Sequence, residues 1–288
     1  MPKSPRSPSI ALVLSGGAAR GFAHIGVLQA LEARDLQVDA VAGTSMGAVI
    51  GALYASGLDA AAIFDLADEL TWRDLIDLSL QSGVLKGDKL RAVLAEHLPD
   101  RFEDLRIPLA VTTTDLELGE ERTLLRGPVV DAVRASSSFP GAFEPVRLDG
   151  RTMADGGIVN NLPVAAAALL GGDYVIASDA TAPRRTETVP RRHDHGWWER
   201  MVKTMRLERR SPMIDMLLRG SDVMQAILTD VQYAMHPADL RIVLDRPEFR
   251  LESFREVRRI VSAGRDAAER AFDRLERERP DRMPPSPR

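Results

Sequence analysis

The 288-residue chain contains no cysteine, which excludes disulfides, thiolate nucleophiles and cysteine-ligated zinc together. No run approaches the roughly 18 apolar residues needed to span a bilayer. The longest, "VAAAALLGG", is broken by glycines and then by Asp173. The opening "MPKSPRSPS" is basic but has no apolar stretch before the first strand, so no secretory signal is expected. Together these absences lead to the expectation of a cytoplasmic protein, touching a membrane only peripherally. A formal net charge of −4 gives no reason to expect nucleic acid as a partner.

What is present suits a packed core: 44% of residues are hydrophobic and 28% charged. The Pro-, Ser- and Arg-rich ends, residues 1–8 and 279–288, read as disordered tails. Between them strands and helices alternate, which predicts one α/β domain over 9–278, a mostly parallel sheet with helices on both faces. "SIALVLSGG" and "VDAVAG" read as buried strands, each entering a helix. "GDKLRAVLAEHL" reads as a helix with Asp88 as its N-cap. "IPLAVTTTDLELGEERTLLRG" predicts a hairpin around Gly119, and "EPVRLDGRTMADGG" a second one turning at Asp149-Gly150. "PVVDAVRASSS" and "SFREVRRIVSAGRDAAERAFDRLERE" read as helices, "GDYVIASDA" and "LRIVL" as later strands.

In "DAVAGTSMGAVIGALYASG" Ser45 stands between Gly43 and Gly47, at a predicted strand-to-helix turn. That is the geometry of a nucleophile elbow, in which a side chain on either glycine would crowd the serine. The helix dipole there favours a developing alkoxide. Gly47, Gly51 and Ala55 leave one face of the following helix bare for close packing. Taken alone, the same residues also describe an ordinary N-cap.

"LSGGAARG", residues 14–21, ends the first strand and opens a helix. Consecutive N–H groups in such a loop can hold a phosphate or an oxyanion. No Lys-Ser/Thr follows, so a Walker-type loop is excluded, and Ala18 fits a dinucleotide fingerprint badly. The amides of Gly16, Gly17, Ala18 and Ala19 are therefore the candidate oxyanion hole, on a strand neighbouring that of Ser45. Arg20 reads as an ion pair holding the loop or, less favoured, as a contact to a substrate phosphate.

A Ser-His-Asp triad needs a histidine within reach. His24, His97, His193, His195 and His236 all read as surface or packing residues. What stands at a late strand end is Asp155, before Gly156 and Gly157. Beside an elbow and an anion loop it becomes a candidate general base.

These blocks resemble the patatin-like phospholipases, especially small bacterial members. "GGAARG" is similar to the family's oxyanion block, with Arg20 and Gly21 as its support. "GTSMG" is similar to its nucleophile block, and "DGG" to the block carrying its aspartate. "ASSSFPGAFEPV" is similar to a proline-containing block beneath the site. Ser15 and Ala18 stand where the fullest oxyanion block has Asp and Gly. The resemblance implies a three-layer α/β/α fold, a Ser45–Asp155 dyad, a lipid ester substrate and no metal or cofactor. Asn160 and Asn161 are expected to tie down the Asp155 loop, and Ser136 to Ser138 to line the pocket.

Residues 184–210 carry nine basic groups against four acids, a net +5 in an acidic chain. Trp197, Trp198, Met201, Val202 and Met205 share one helical face there. The stretch 184–211 reads as a lid or as a contact for an anionic membrane, with an ordinary surface helix as the alternative. The reading is a serine acyl hydrolase. Its rivals are a Ser-His-Asp esterase or acyltransferase and an adaptor with little turnover.

Overall fold

The computed structural model describes residues 9–69, 85–181, 212–251 and 253–285. The stretch 184–211 and the N-terminal eight residues lie outside them. Eight strands form one sheet: β1 (Ile10–Leu14), β2 (Ala40–Thr44), β3 (Leu109–Asp115), β4 (Glu120–Leu124), β5 (Val146–Leu148), β6 (Arg151–Asp155), β7 (Tyr174–Asp179) and β8 (Leu240–Val243). They are hydrogen-bonded in the succession β5-β6-β3-β2-β1-β7-β8, with β4 also on β3. Five strands run parallel, and β4, β5 and β6 add an antiparallel extension.

Helices cover both faces. They are α1 (Ala23–Glu32), α2 (Met46–Ser56), α3 (Ala60–Glu69), α4 (Asp88–His97), α5 (Val129–Ser136), α6 (Val164–Leu169), α7 (Pro212–Met235) and α8 (Val257–Glu278). Strand alternation divides the core. Ile10, Leu12 and Leu14 face the larger cluster with α1, α2 and α8. Ala11 and Val13 face a smaller one with α6. Alanines on that second face let α6 lie close to the sheet. The result is the expected three-layer α/β/α arrangement.

Both hairpins form where expected. Asp149 and Gly150 take φ of 49° and 79°, the paired left-handed residues of a two-residue turn. Asp88 is not the cap of α4: Gly87, at φ 79°, holds that position, and Asp88 lies in the first turn. Residues 279–285, expected within the C-terminal tail, belong to the described structure. Residues Pro280–Arg282 form a 3-10 turn, and the Tyr174 hydroxyl donates to the Arg282 carbonyl at 2.7 Å. The long helix α7 is not among the elements expected from the sequence.

The register of β3 sets up the site. Thr112 pairs with Thr44 of β2 and with Thr123 of β4, so those two strands lie on opposite edges. The next residue, Thr113, pairs with Arg122 of β4 and with Asp155 of β6. β2 and β6 therefore meet end to end along one edge of β3, arriving from opposite directions. Ser45 follows the last residue of β2, and Asp155 is the last residue of β6.

Candidate active site

Ser45 caps α2 with φ 54° and ψ −124°, a left-handed conformation that costs a non-glycine residue of the order of 1–3 kcal/mol. Surrounding contacts impose it. A Cβ on Gly43 would lie 2.6 Å from the Gly47 carbonyl oxygen, and one on Gly47 would strike the Leu14 and Ser15 carbonyls. The two glycines flanking Ser45 are thus needed for close packing of α2 on β1 and β2. The Ser45 amide donates to Ser136 Oγ at 2.8 Å, and that hydroxyl donates to the Thr112 carbonyl at 2.6 Å. Ser136 is buried and braces the elbow rather than lining a pocket. Ser138 is likewise buried, donating to the Arg134 carbonyl at 3.0 Å.

The Ser45 hydroxyl donates to Asp155 Oδ2 at 2.7 Å, and Oδ1 of the same carboxylate accepts the Gly157 amide at 2.8 Å. Asp155 is 2% exposed. Burial pushes its pKa up from 3.8 to about 6, against the opposing pull of the Ser45 and Gly157 hydrogen bonds. Such a carboxylate is still mostly ionised at neutral pH, yet more basic than an exposed one. Gly156 and Gly157 leave room for the turn: a Cβ on Gly156 would meet the Thr112 carbonyl, and one on Gly157 the Asn161 side chain at 2.8 Å.

The glycine loop runs beside the elbow, and a Cβ on Gly16 would approach Ser45 Cβ at 3.2 Å. Its four candidate amides are not equivalent. The Gly16 amide donates to the Asn161 carbonyl at 3.0 Å, and the Ala19 amide to the Leu251 carbonyl at 3.1 Å. Both are spent, which corrects the expectation that all four are available. Among the described residues the amides of Gly17 and Ala18 have no partner. Ala18 takes φ 47°, so the alanine accepts a conformation easier for glycine.

Arg20 is buried and pairs with Asp222 of α7 at 3.1 Å, the structural alternative of the two expected. Gly21 lies against Met46, leaving no space for a Cβ. Asn161 touches both loops. Its Nδ2 donates to Thr181 Oγ1 at 2.9 Å and reaches the Gly16 carbonyl at 3.4 Å. Asn160 Nδ2 donates to Glu121 at 2.9 Å, and the Asn160 carbonyl accepts the Thr44 hydroxyl at 3.1 Å.

The His24 imidazole is buried with both nitrogens engaged: Nδ1 meets Ser178 Oγ at 2.7 Å and Nε2 the Ser15 carbonyl at 2.8 Å. Burial lowers its pKa to about 4, against the Ser15 hydrogen bond and the Asp179 charge. His97 bonds its own helix at the Val93 carbonyl, and His193 and His195 lie outside the described residues. Sequence reasoning missed Arg134. This buried guanidinium donates to the Lys86, Gly87 and Glu144 carbonyls and to Ser138 Oγ, over the ring of Phe143. It ties the proline-containing block to the segment before α4. Apart from Ser138 at i+4, its hydrogen-bond partners lie 10 to 48 residues away in other segments, so no local pattern announces it.

Among the described residues, no helix is long and apolar enough to cross a membrane. A sequence model of patatin-like phospholipases matches residues 12–168, more than half of the chain. An NTE family protein of Mycobacterium tuberculosis is 42% identical over 177 residues, 59% of this chain and 49% of that protein. Neuropathy target esterase of Drosophila melanogaster is 35% identical over 201 residues, 66% of this chain and 14% of that protein. A lysophospholipase of Emericella nidulans is 35% identical over 179 residues, 59% of this chain and 12% of that protein. This chain thus spans half or less of the length of these relatives. In fold it is similar to VipD from Legionella pneumophila, with a TM-score of 0.60 at 16% identity over 94% of this chain and 67% of that one. Matched over residues 12–168, the span that holds Ser45, the glycine loop and Asp155, the chain belongs to the patatin-like phospholipase family.

Proposed function

We propose that this protein is a serine acyl hydrolase of lipid carboxylic esters, working through a Ser45–Asp155 dyad. The observation that carries the reading is the 2.7 Å hydrogen bond from Ser45, on a strained elbow, to a buried carboxylate. Ser45 Oγ attacks the ester carbonyl while its proton passes to Asp155 Oδ2. The carbonyl oxygen becomes an oxyanion, held by the amides of Gly17 and Ala18. Collapse expels the alcohol, which takes the proton from Asp155 and leaves an acyl-enzyme. Water then attacks the acyl carbon and gives a proton to Asp155. The acid departs as Ser45 recovers that proton.

Two features disfavour the rivals. His24 has both nitrogens committed away from Ser45, which speaks against it as base. An adaptor has no need to keep Ser45 in a costly conformation beside unpartnered amides. Labelling by a fluorophosphonate probe tests the reading. Wild type should label at Ser45 and cleave a short ester, whereas Ser45→Ala and Asp155→Asn should each lose activity. The double variant should be scarcely worse than either single one, because the two act as a unit. A folded Asp155→Asn protein with near-normal turnover would sink the dyad.

The proposed partner is an anionic lipid surface. Met216, Val223, Met224, Ile227, Val231 and Met235 of α7 are all exposed. At 100° per residue they fall on one face of about 120°. Gln225, Ala226 and Thr229, on the opposite face, are buried. This apolar stripe follows directly on the +5 stretch 184–210, and positive charge beside exposed apolar surface suits an anionic bilayer.

A further inference from the structure

Beneath the glycine loop lies a buried polar cluster that the dyad does not use. Ser15, His24 and Ser178 are each 3% exposed or less. A carbonyl oxygen only accepts, so the His24 nitrogen facing Ser15, Nε2, carries the proton. Nδ1 is then the acceptor, and the Ser178 hydroxyl donates to it. Ser178 thereby selects the tautomer that lets His24 donate to the loop. The Ser15 hydroxyl accepts the Ala180 amide at 2.8 Å and donates to the Gly16 carbonyl at 2.9 Å.

These bonds act on two successive peptide planes. In a trans peptide the carbonyl and the amide of one plane point opposite ways. His24 holds the carbonyl of the Ser15–Gly16 plane, and the Gly16 amide meets the Asn161 carbonyl on the other side at 3.0 Å. Ser15 then holds the carbonyl of the Gly16–Gly17 plane, with Asn161 Nδ2 on the same oxygen at 3.4 Å. With that carbonyl drawn into the cluster, the Gly17 N–H must point away from it.

We propose that Ser15 and His24 are positioning residues for the reaction: the His24 Nε2–H on the Ser15 carbonyl and the Ser15 hydroxyl on the Gly16 carbonyl fix the direction of the Gly17 N–H that stabilises the oxyanion. This rests on the hydrolase reading and deepens it. The imidazole acts through the loop and never touches the substrate.

The side-chain amides of Gln and Asn separate this role from its competitors. The amide nitrogen of Gln reaches the place of Nε2, whereas that of the shorter Asn reaches only the place of Nδ1. The full chain is assayed on a short soluble ester, with active Ser45 counted by fluorophosphonate. His24→Asn and Ser15→Ala should lower kcat about 10- to 100-fold while KM stays within about 3-fold, since a misaimed donor weakens the transition state only. His24→Gln should recover kcat to within about 5-fold of wild type. A His24→Gln enzyme as inactive as Ser45→Ala would make the imidazole the base and overturn the proposal. Equal kcat in the Gln and Asn variants would reduce it to packing and also overturn it. If neither position-24 variant folds, Ser15→Ala decides, and a kcat within about 2-fold of wild type overturns the proposal. Full activity in Ser45→Ala is a separate outcome: it removes the parent reading and this one together.

Discussion

At the scale of the residue, Asp155 is a carboxylate without a cation. Among the described residues its carboxylate bonds only the Ser45 hydroxyl and the Gly157 amide, so burial dominates and its pKa lies near 6. As the proposed base it must be ionised, so kcat/KM should fall about tenfold per pH unit below 6. A profile flat from about pH 5 to 7.5 would contradict this. The same shift has a stability sign. A folded pKa above the unfolded 3.8 means that the folded state binds the proton more tightly. The penalty is therefore absent below about 3.8, grows towards 6 and is complete at neutral pH, where it amounts to about 3 kcal/mol. Asp155→Asn keeps the shape and removes the charge, so calorimetry at pH 7 should find Tm raised by a few degrees while activity is lost. Ser45 and Asp155 were legible because each sits in a short motif with its own steric logic. Ser136, Arg134 and the engagement of His24 were not, since their partners come from elements whose juxtaposition only the folded sheet defines.

Elements depend on small residues at their crossings. α1 and α8 approach so closely that a Cβ on Gly26 would strike the Val261 carbonyl and lie 2.5 Å from the Arg265 amide nitrogen, while one on Gly264 would strike the Ala23 carbonyl. Helix propensity alone would make Gly→Ala stabilising by about 1 kcal/mol. Here the clash is with backbone, and overpacking of this kind costs about 1–3 kcal/mol or more. Gly264→Ala should therefore lower Tm by several degrees, and an unchanged or raised Tm would show that the helices can separate. Because α1 carries His24 in its first turn, the variant should also slow turnover. β1, β2 and β7 were legible because apolar runs bounded by glycine have few other meanings, and the hairpin strands because of their turn residues. α7 was not: its exposed stripe and its buried face both contain apolar or small residues, which blurs the helical period. Asp88 misled for a related reason, since Gly87 can take the left-handed cap that frees the aspartate to join the helix.

For the whole molecule, charge distribution counts for more than net charge. A chain of −4 whose +5 stretch directly precedes, in sequence, a helix with an exposed apolar face should bind vesicles containing anionic lipid and release them as salt rises. Basic residues near such a surface contribute about 1 kcal/mol each. In cosedimentation, equal binding to zwitterionic vesicles at low salt would remove the electrostatic contribution. Replacing Met224 and Ile227 by glutamate, or Trp197, Trp198 and Met201 by polar residues, should reduce hydrolysis of vesicle lipid more than that of a short soluble ester. Equal loss on both substrates would make these residues part of the packed body. The two features behind this prediction differ in legibility: the basic stretch is visible in the sequence, but the stripe emerges only from the exposure of α7.

The end-to-end meeting of β2 and β6 on β3 has a kinetic consequence. Ser45 and Asp155 are separated by 110 residues and touch only because one strand receives both neighbours on the same edge. Contacts of such sequence separation are slow to form. A chain still emerging from the ribosome would hold its serine without its acid until residue 155 was available and paired. A probe that reacts only with the paired serine would thus become a clock for the late stages of refolding. It would report when the parallel half of the sheet and its antiparallel half first share an edge.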